Sequence, residues 1–319
     1  MLYKRFCFYY NKSGSGAGPY LYLEEVYPPD PLLDFMKRNV SLKEYSTFKI
    51  GGEAKYLLEP KTTKELIKSV QWAKDNDVAF FVLGGGSNIL ISDDGFDGLV
   101  IISKMNKFEI KGNKVTAEAG VKLVDLIDEC LKKKLSGLEW ASGIPKATIG
   151  GSLYMNAGAF GSNMADIVKE VVVLDTSDLK IKTFSFKECQ FDYKDSVFRG
   201  NKSLIIISCL LVLEEKQDIE EEVKRISIYR KENHPVLFPS AGSIFKNPFN
   251  ISAGEAIEKT GLKGKKIGGA MVSDKHANFI INVREATSND VKQLIDLIKK
   301  QVKEKLNIDL EEEIQYLGY

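Results

Sequence analysis

One stretch constrains the fold of this chain more than any other: the apolar run Val78 to Leu83, then Gly84-Gly85-Gly86-Ser87-Asn88, then the apolar Ile89-Leu90-Ile91. A strand-length run enters a glycine cluster and a second one leaves it. Consecutive glycines admit left-handed φ and close backbone approach, so successive N–H groups can converge on an anion such as phosphate. A dinucleotide fingerprint requires a helix opening at the third glycine, and a P-loop requires Gly-Lys-Ser/Thr. Neither pattern is present, so the Rossmann and P-loop readings fail. Taken alone, the loop also fits an ordinary glycine turn between two strands.

Two further segments have a related character. Gly143 to Gly161 is rich in glycine and alanine and poor in charge. It carries little side-chain bulk, which suits a backbone lying against a large cofactor or, alternatively, a close-packed turn. Pro239-Ser240-Ala241-Gly242-Ser243-Ile244-Phe245-Lys246-Asn247-Pro248 sets a hydroxyl, an ammonium and an amide in a loop stiffened by two prolines. Ser243 has no GxSxG elbow around it, and the chain has only two histidines, His234 and His276, so a Ser-His-Asp hydrolase is poorly supported. Two readings of Ser243 remain, a proton donor to a reacting carbon and a turn serine.

The rest of the chain narrows the class. At about 150 residues per domain, 319 residues predict two or three units with cores of their own. Hydrophobic content of 44% and charged content of 28% are those of a globular protein. A net charge of +1 argues against a nucleic-acid partner. Cys7, Cys130, Cys189 and Cys209 have no CxxC spacing, which argues against a metal site and a secreted disulfide framework and for a cytoplasmic location. No run approaches the roughly 18 apolar residues of a membrane span, and the N-terminus lacks an apolar signal region.

Residues 1–40 read as an extension, with small residues over Ser13 to Pro19 and a strand around Tyr20 to Leu23 ended by Pro28-Pro29-Asp30-Pro31. Thr62 to Glu65 is a capping-box pattern, with Leu66, Ile67, Val70 and Ala73 at helical spacing behind it. Further helices are predicted from Leu123 to Lys134, through Val223, Ile226 and Tyr229, and from Asp290 to about Leu306 behind Thr287. Strands are predicted at Leu99 to Ile102, Val171 to Leu174, Ile181 to Phe186 and Leu204 to Leu213. The pattern is α+β with several short sheets.

Read together, the segments closely resemble the UDP-N-acetylenolpyruvoylglucosamine reductase (MurB) family of flavoenzymes in peptidoglycan synthesis. The resemblance runs from about Ser41 to Gly318. It includes Tyr45-Ser46-Thr47-Phe48-Lys49-Ile50-Gly51-Gly52, the Gly84 loop, the Gly143 to Gly161 run, Tyr193-Lys194-Asp195-Ser196-Val197-Phe198, Arg230, the Ser243 loop, Gly261 to Gly264, Val272 to Phe279 and Leu310 to Ile314. The spacing between Tyr193 and Ser243 is that of the shorter family type, which lacks an insertion with a substrate-clamping tyrosine.

This resemblance implies a vanillyl-alcohol-oxidase-like FAD-binding fold of two subdomains, residues 41–105 and 106–222. A smaller α+β substrate-binding domain spans 223–306, and a strand over 307–319 returns toward the flavin. It also implies an NADPH-dependent reductase that converts the enolpyruvyl ether of UDP-N-acetylglucosamine to UDP-N-acetylmuramate, with hydride from flavin N5 to C3 and a proton to C2. The carry-over assigns Ser243 as proton donor, Glu313 as the carboxylate-polarising acid and Lys194 at the position of the family arginine. Lysine keeps the charge and loses the planar fork. Gly84, Gly85, Gly86, Ser87, Asn88, Gly150, Gly151, Asn156, Ala157, Gly158 and Arg230 would contact FAD, with Lys246 and Asn247 toward the sugar nucleotide. A second departure is Ile144-Pro145-Lys146-Ala147, where the family has Ile-Pro-Gly and one residue fewer. Strand alternation puts Glu311 and Glu313 on one face, and the choice of Glu313 rests on the family pattern. A flavin oxidase of the same fold and a non-catalytic flavin or sugar-nucleotide binder are the competing functions.

Overall fold

The computed structural model describes residues 3–8, 21–26 and 35–319. Strands β1 (Tyr3–Phe8) and β2 (Leu21–Val26) pair antiparallel as a unit by themselves, with Tyr3 opposite Val26. The expected strand near Tyr20 therefore starts at Leu21. The small-residue stretch and the proline breaker lie outside the described residues.

The body, residues 37–319, is built on three sheets. Strands β3 (Lys37–Ser41), β4 (Glu53–Leu58), β5 (Phe80–Leu83) and β7 (Phe96–Ile102) form the first, in the order β3-β4-β7-β5, with β7 parallel to both β4 and β5. Helix α1 (Thr63–Asp75) precedes β5. The Thr62 hydroxyl accepts from Glu65 N–H at 3.2 Å, and Leu66, Val70 and Ala73 are fully buried, as the capping pattern and the helical period require. Between β5 and β7 lies the short β6 (Ile89–Ile91), all three residues buried.

Strands β8 (Phe108–Lys111), β9 (Lys114–Glu118), β10 (Val168–Asp175), β11 (Lys180–Ser185) and β12 (Leu204–Val212) make an antiparallel sheet in the order β11-β10-β12-β9-β8. Helices α2 (Leu123–Lys132) and α3 (Ile149–Tyr154) contribute to its core, where Leu126, Ile149, Leu153, Val171, Phe198 and Leu211 are at 0% exposure.

Helix α4 (Ile219–Asn233) follows, with Glu220, Glu221 and Glu222 in its first turn, where the macrodipole favours anions. Its inward face departs from expectation. Ile226 is buried and Val223 packs against the core, but Tyr229 is 44% exposed and Arg230 takes the inward place. Strands β13 (Ser240–Ser243), β14 (Lys266–Ile267), β15 (Ala270–Val272) and β16 (Phe279–Asn282) form the third sheet, with α5 (Ala253–Lys259) and α6 (Ser288–Leu306) packed into the same core. Thr287 and Asp290 form a reciprocal capping box at the start of α6, and Val291, Leu294, Ile298 and Val302 are buried. Finally β17 (Gln315–Leu317) pairs parallel with β6, Gln315 opposite Ile89.

Candidate active site

The Gly84 loop runs directly from β5 into β6, with no helix at its third glycine. Its glycines answer to neighbouring backbone. A Cβ on Gly85 would lie 1.4 Å from the Lys146 carbonyl oxygen, and one on Gly86, at φ +68°, would lie 1.9 Å from the Tyr45 carbonyl oxygen. The tight-turn reading holds, and it leaves the donors of the anion-loop reading in place. Close packing on one side requires glycine, while the N–H groups of Gly85 and Ser87 donate to no other described residue. Thr47 N–H anchors the loop by donating to Gly86 O at 2.9 Å.

The second small-residue segment contains α3, whose first turn holds Gly150 and Gly151. Thr148 caps it, accepting from Gly151 N–H at 3.3 Å, and a Cβ on Gly84 would meet the same Thr148 hydroxyl at 3.0 Å. The two glycine segments are thus packed against each other. Asn156 has a left-handed φ of +41° and is buried, with its amide donating to Asp192 O at 2.9 Å and accepting from Ala165 N–H at 3.0 Å. That side chain braces the Asp192 turn. Gly158 pairs with Asn163, where a Cβ would come within 2.5 Å of the Asn163 Cβ, and Ala157 N–H donates to Ser152 O at 2.8 Å.

Arg230 lies on α4 with 9% exposure, and burial pulls its guanidinium down to about 10, still charged at neutral pH. Nη2 donates to Trp140 O at 2.8 Å, and the guanidinium sits 5.3 Å from the centre of the Phe160 ring. Among the described residues it has no carboxylate partner. Arg230 Nε, Trp140 Nε1 and the Ser142 hydroxyl are all buried without hydrogen bonds. Unsatisfied buried polar groups of this kind cost about 1–3 kcal/mol each, and these three, one of them on the cation itself, are donors that an acceptor-rich ligand would satisfy. Trp140 and Ser142 lie just outside the motifs singled out in the sequence, and Phe160 lies inside the Gly143–Gly161 run, where small residues rather than its ring drew the reading.

The third group is assembled by hydrogen bonding between distant segments. Glu313 N–H donates to Ile244 O and Lys246 N–H to Glu311 O, both at 2.8 Å, so residues 311–313 lie antiparallel to 244–246, directly after Ser243. Asn278 locks the other side: its amide donates to Phe245 O at 2.8 Å and accepts from Phe245 N–H at 2.9 Å. The three glutamates alternate as expected. Glu313 pairs with Lys194 at 3.2 Å and Glu311 with Lys246 at 2.6 Å on one side, while Glu312 turns to Lys299 at 2.8 Å and to the Tyr316 hydroxyl. The Lys194–Glu313 pair is well shielded, with side chains 18% and 13% exposed. Lys194, at a left-handed φ of +54°, also donates to Gly158 O at 3.0 Å, which joins the small-residue segment to the acid.

The Ser243 hydroxyl is half-buried and makes no hydrogen bond with another described residue. Asn247 donates its N–H to the Tyr193 hydroxyl at 3.2 Å and accepts from Ala253 N–H at 3.0 Å through its side chain. A cleft of about 360 Å³ opens here, lined by Asp192, Tyr193, Lys246, Asn247 and Glu311 among others. Among the described residues no cluster of His, Cys, Asp and Glu could hold a metal, and no helix is long and apolar enough to cross a membrane. Cys130, Cys189 and Cys209 are buried free thiols, pushed up to about 12 chiefly by desolvation, and so inert.

Comparison with known proteins agrees with this geometry. Residues 54–185 match a model of an FAD-binding domain, and residues 234–317 match a model of the C-terminal domain of UDP-N-acetylenolpyruvoylglucosamine reductase. Proteins of that name from Caldicellulosiruptor bescii and Lactobacillus helveticus are each 41% identical to this chain, over 92% and 90% of it and 94% and 98% of their own lengths. The crystal structure of the Thermus caldophilus enzyme superposes with a TM-score of 0.76 at 34% identity, covering 89% of this chain and all of that one.

Proposed function

The chain belongs to the UDP-N-acetylenolpyruvoylglucosamine reductase family, a flavin-dependent oxidoreductase of peptidoglycan synthesis with the expected α+β FAD-binding fold, and from that premise we propose how its own residues perform the reaction. The substrate in this reading is UDP-N-acetylglucosamine enolpyruvate and the reductant NADPH, acting in the cytoplasm. Residues 41–105 and 106–222 are the two parts that hold FAD, 223–306 bind the sugar nucleotide, and 307–319 bring Glu313 to the flavin.

The free N–H groups of the Gly84–Asn88 loop and the small surface of Gly150, Gly151, Asn156, Ala157 and Gly158 suit the pyrophosphate and the flat ring of FAD. Arg230, with the orphaned donors of Trp140 and Ser142, suits its polar ring edge or phosphate. The chemistry FAD supplies when bound is hydride carriage, from NADPH to flavin N5 and from N5 to C3 of the enolpyruvyl double bond.

Adding hydride to that double bond pushes negative charge onto the adjacent carboxylate, which must be stabilised where it develops. Lys194 answers this need. Two of its three donors go to Gly158 O and Glu313, leaving the third for the substrate carboxylate. Glu313 fixes the direction of the ammonium and acts on that same carboxylate through it. Ser243 then delivers the proton to C2, its hydroxyl uncommitted to any other described group. Lys246 and Asn247, at the cleft beside Tyr193, hold the nucleotide-sugar end.

What supports this reading is the 3.2 Å Lys194–Glu313 ion pair and the Glu313–Ile244 hydrogen bond, which sets that pair beside the residue that follows Ser243. Its test is direct. The purified protein should be yellow, release FAD on denaturation, and oxidise NADPH with turnover only when the enolpyruvyl sugar nucleotide is added. A colourless protein that takes up no FAD overturns the flavoenzyme reading. Sustained NADPH oxidation by oxygen alone would favour an oxidase.

A further inference from the structure

The departure at Ile144-Pro145-Lys146-Ala147 is also a structural outlier. Lys146 has φ +56°, and Lys49, next to it in space, has φ +57°. Both lysines bear the steric penalty of a Cβ in the left-handed region. The Lys146 carbonyl is the atom packed against Gly85. Its side chain folds back so that Nζ donates to Glu44 O at 2.8 Å, one residue from the Tyr45 carbonyl that packs against Gly86. The Glu44 carboxylate is held by Lys49. Lys146 therefore has no carboxylate of its own among the described residues, and two ammonium groups share a single acid beside the free N–H groups of Gly85 and Ser87. The surplus positive charge therefore lies next to the loop, in the Glu44–Tyr45 and Lys146 segments whose backbone packs against Gly85 and Gly86.

We propose that Lys146, with Lys49 beside it, supplies the positive charge that neutralises the FAD pyrophosphate over the Gly84–Asn88 loop. This rests on the reading of that loop as the pyrophosphate site. The backbone supplies directional hydrogen bonds there, and Lys146 adds the charge that amide dipoles lack. Lys49, through Glu44, keeps the cluster at one net positive charge, so that a dianion is attracted without two unpaired lysines repelling each other in its absence.

The test uses flavin-loaded protein and measures FAD released on dilution, by the recovery of its fluorescence, at increasing salt. Wild-type protein should release more FAD as salt rises, since screening weakens a charge contact. Lys146→Gln should release FAD at about tenfold lower dilution, the order expected for one charge-assisted contact, with a shallower salt dependence. Lys146→Gly, which tolerates the left-handed backbone, should match Lys146→Gln, and Lys146→Arg should match wild type. Release from Lys146→Gln identical to wild type at every salt concentration would overturn the proposal and leave the flavin reading intact. So would an Arg variant as weak as the Gln variant, since shape rather than charge would then decide. Wild-type protein that never carries FAD would remove the underlying reading and this proposal together.

Discussion

The Gly84 loop and the Lys194–Ser243–Glu313 group solve their tasks with opposite materials. The loop is made of backbone: its glycines touch the carbonyls of Lys146 and Tyr45, and no side chain fits where they stand. The other group is made of side chains from three distant segments, joined by an ion pair and by strand-like hydrogen bonds between 244–246 and 311–313. A backbone site admits almost no substitution, because any Cβ collides with atoms that cannot rotate away. A side-chain site admits a change of chemical group provided charge and reach persist, as the resemblance implies for Lys194 in place of an arginine.

The contrast can be broken at its stiffest point first. Gly85→Ala sets a methyl 1.4 Å from the Lys146 oxygen and should cost at least about 3 kcal/mol, with loss of flavin loading seen by melting and absorbance. Gly161→Ala is the control: nothing lies within 4 Å of its Cβ, so only the φ of +84° is penalised, at about 1 kcal/mol. Ser243→Ala should fold, load FAD and accept hydride from NADPH as before, while oxidation of the flavin by the enolpyruvyl substrate slows about 10²- to 10⁴-fold in stopped flow. Slowing of both half-reactions together would mean that the loop had lost its shape.

Lys194→Met should slow the same second half-reaction about a hundredfold and spare the first, with Lys194→Arg active. Equal activity of Lys194→Met would turn the ion pair into a structural brace. Asp93 belongs to neither region. Its carboxylate accepts from Ser288 N–H at 2.7 Å and from the Ser288 hydroxyl at 2.8 Å, tying the turn after β6 to the start of α6. Asp93→Ala should therefore lower stability by about 1–2 kcal/mol in denaturant titration.

A further effect is one of pH. His234 and His276 meet edge to face at 5.4 Å against Phe279, and burial lowers both imidazoles, His234 from 6.5 to about 4. Between these values the unfolded chain binds a proton that the folded one refuses. The contribution is full above about pH 6.5 and is lost as pH falls toward 4, and a melting series across that window should show a shallower decline for His234→Gln.

Local signals were legible in the sequence, and long-range pairings were not. The cap residues Thr62 and Thr287 announced α1 and α6 because the hydroxyl that satisfies the first turn lies within three residues of the N–H it accepts from. Alternation along 311–313 showed which glutamates share a face, but their partners, Lys246 and Lys194, emerge only once that segment lies beside 244–246. The inward face of α4 was misread for a similar reason. Hydrophobicity favours Tyr229, whereas the Trp140 carbonyl and the Phe160 ring, about 90 and 70 residues earlier, make a place for the guanidinium of Arg230. The glycine loop was legible as a loop, and its tightness was not, since Tyr45 and Lys146 are distant in sequence.

The parallel pairing of β17 with β6 also sets a clock. Asn88 O receives Gln315 N–H, and Asn88 donates its side-chain amide to Glu313 O, so the downstream flank of the glycine loop waits for a segment made more than two hundred residues later. During synthesis, β6 leaves the ribosome without that partner and gains it only after Leu317 has emerged. Closing so long a loop costs little at equilibrium, but it delays the step in time. A partly made chain has the glycine loop tied at Gly86 but not at Asn88, and Lys194 without Glu313, so both regions are completed together, late in the life of the nascent chain.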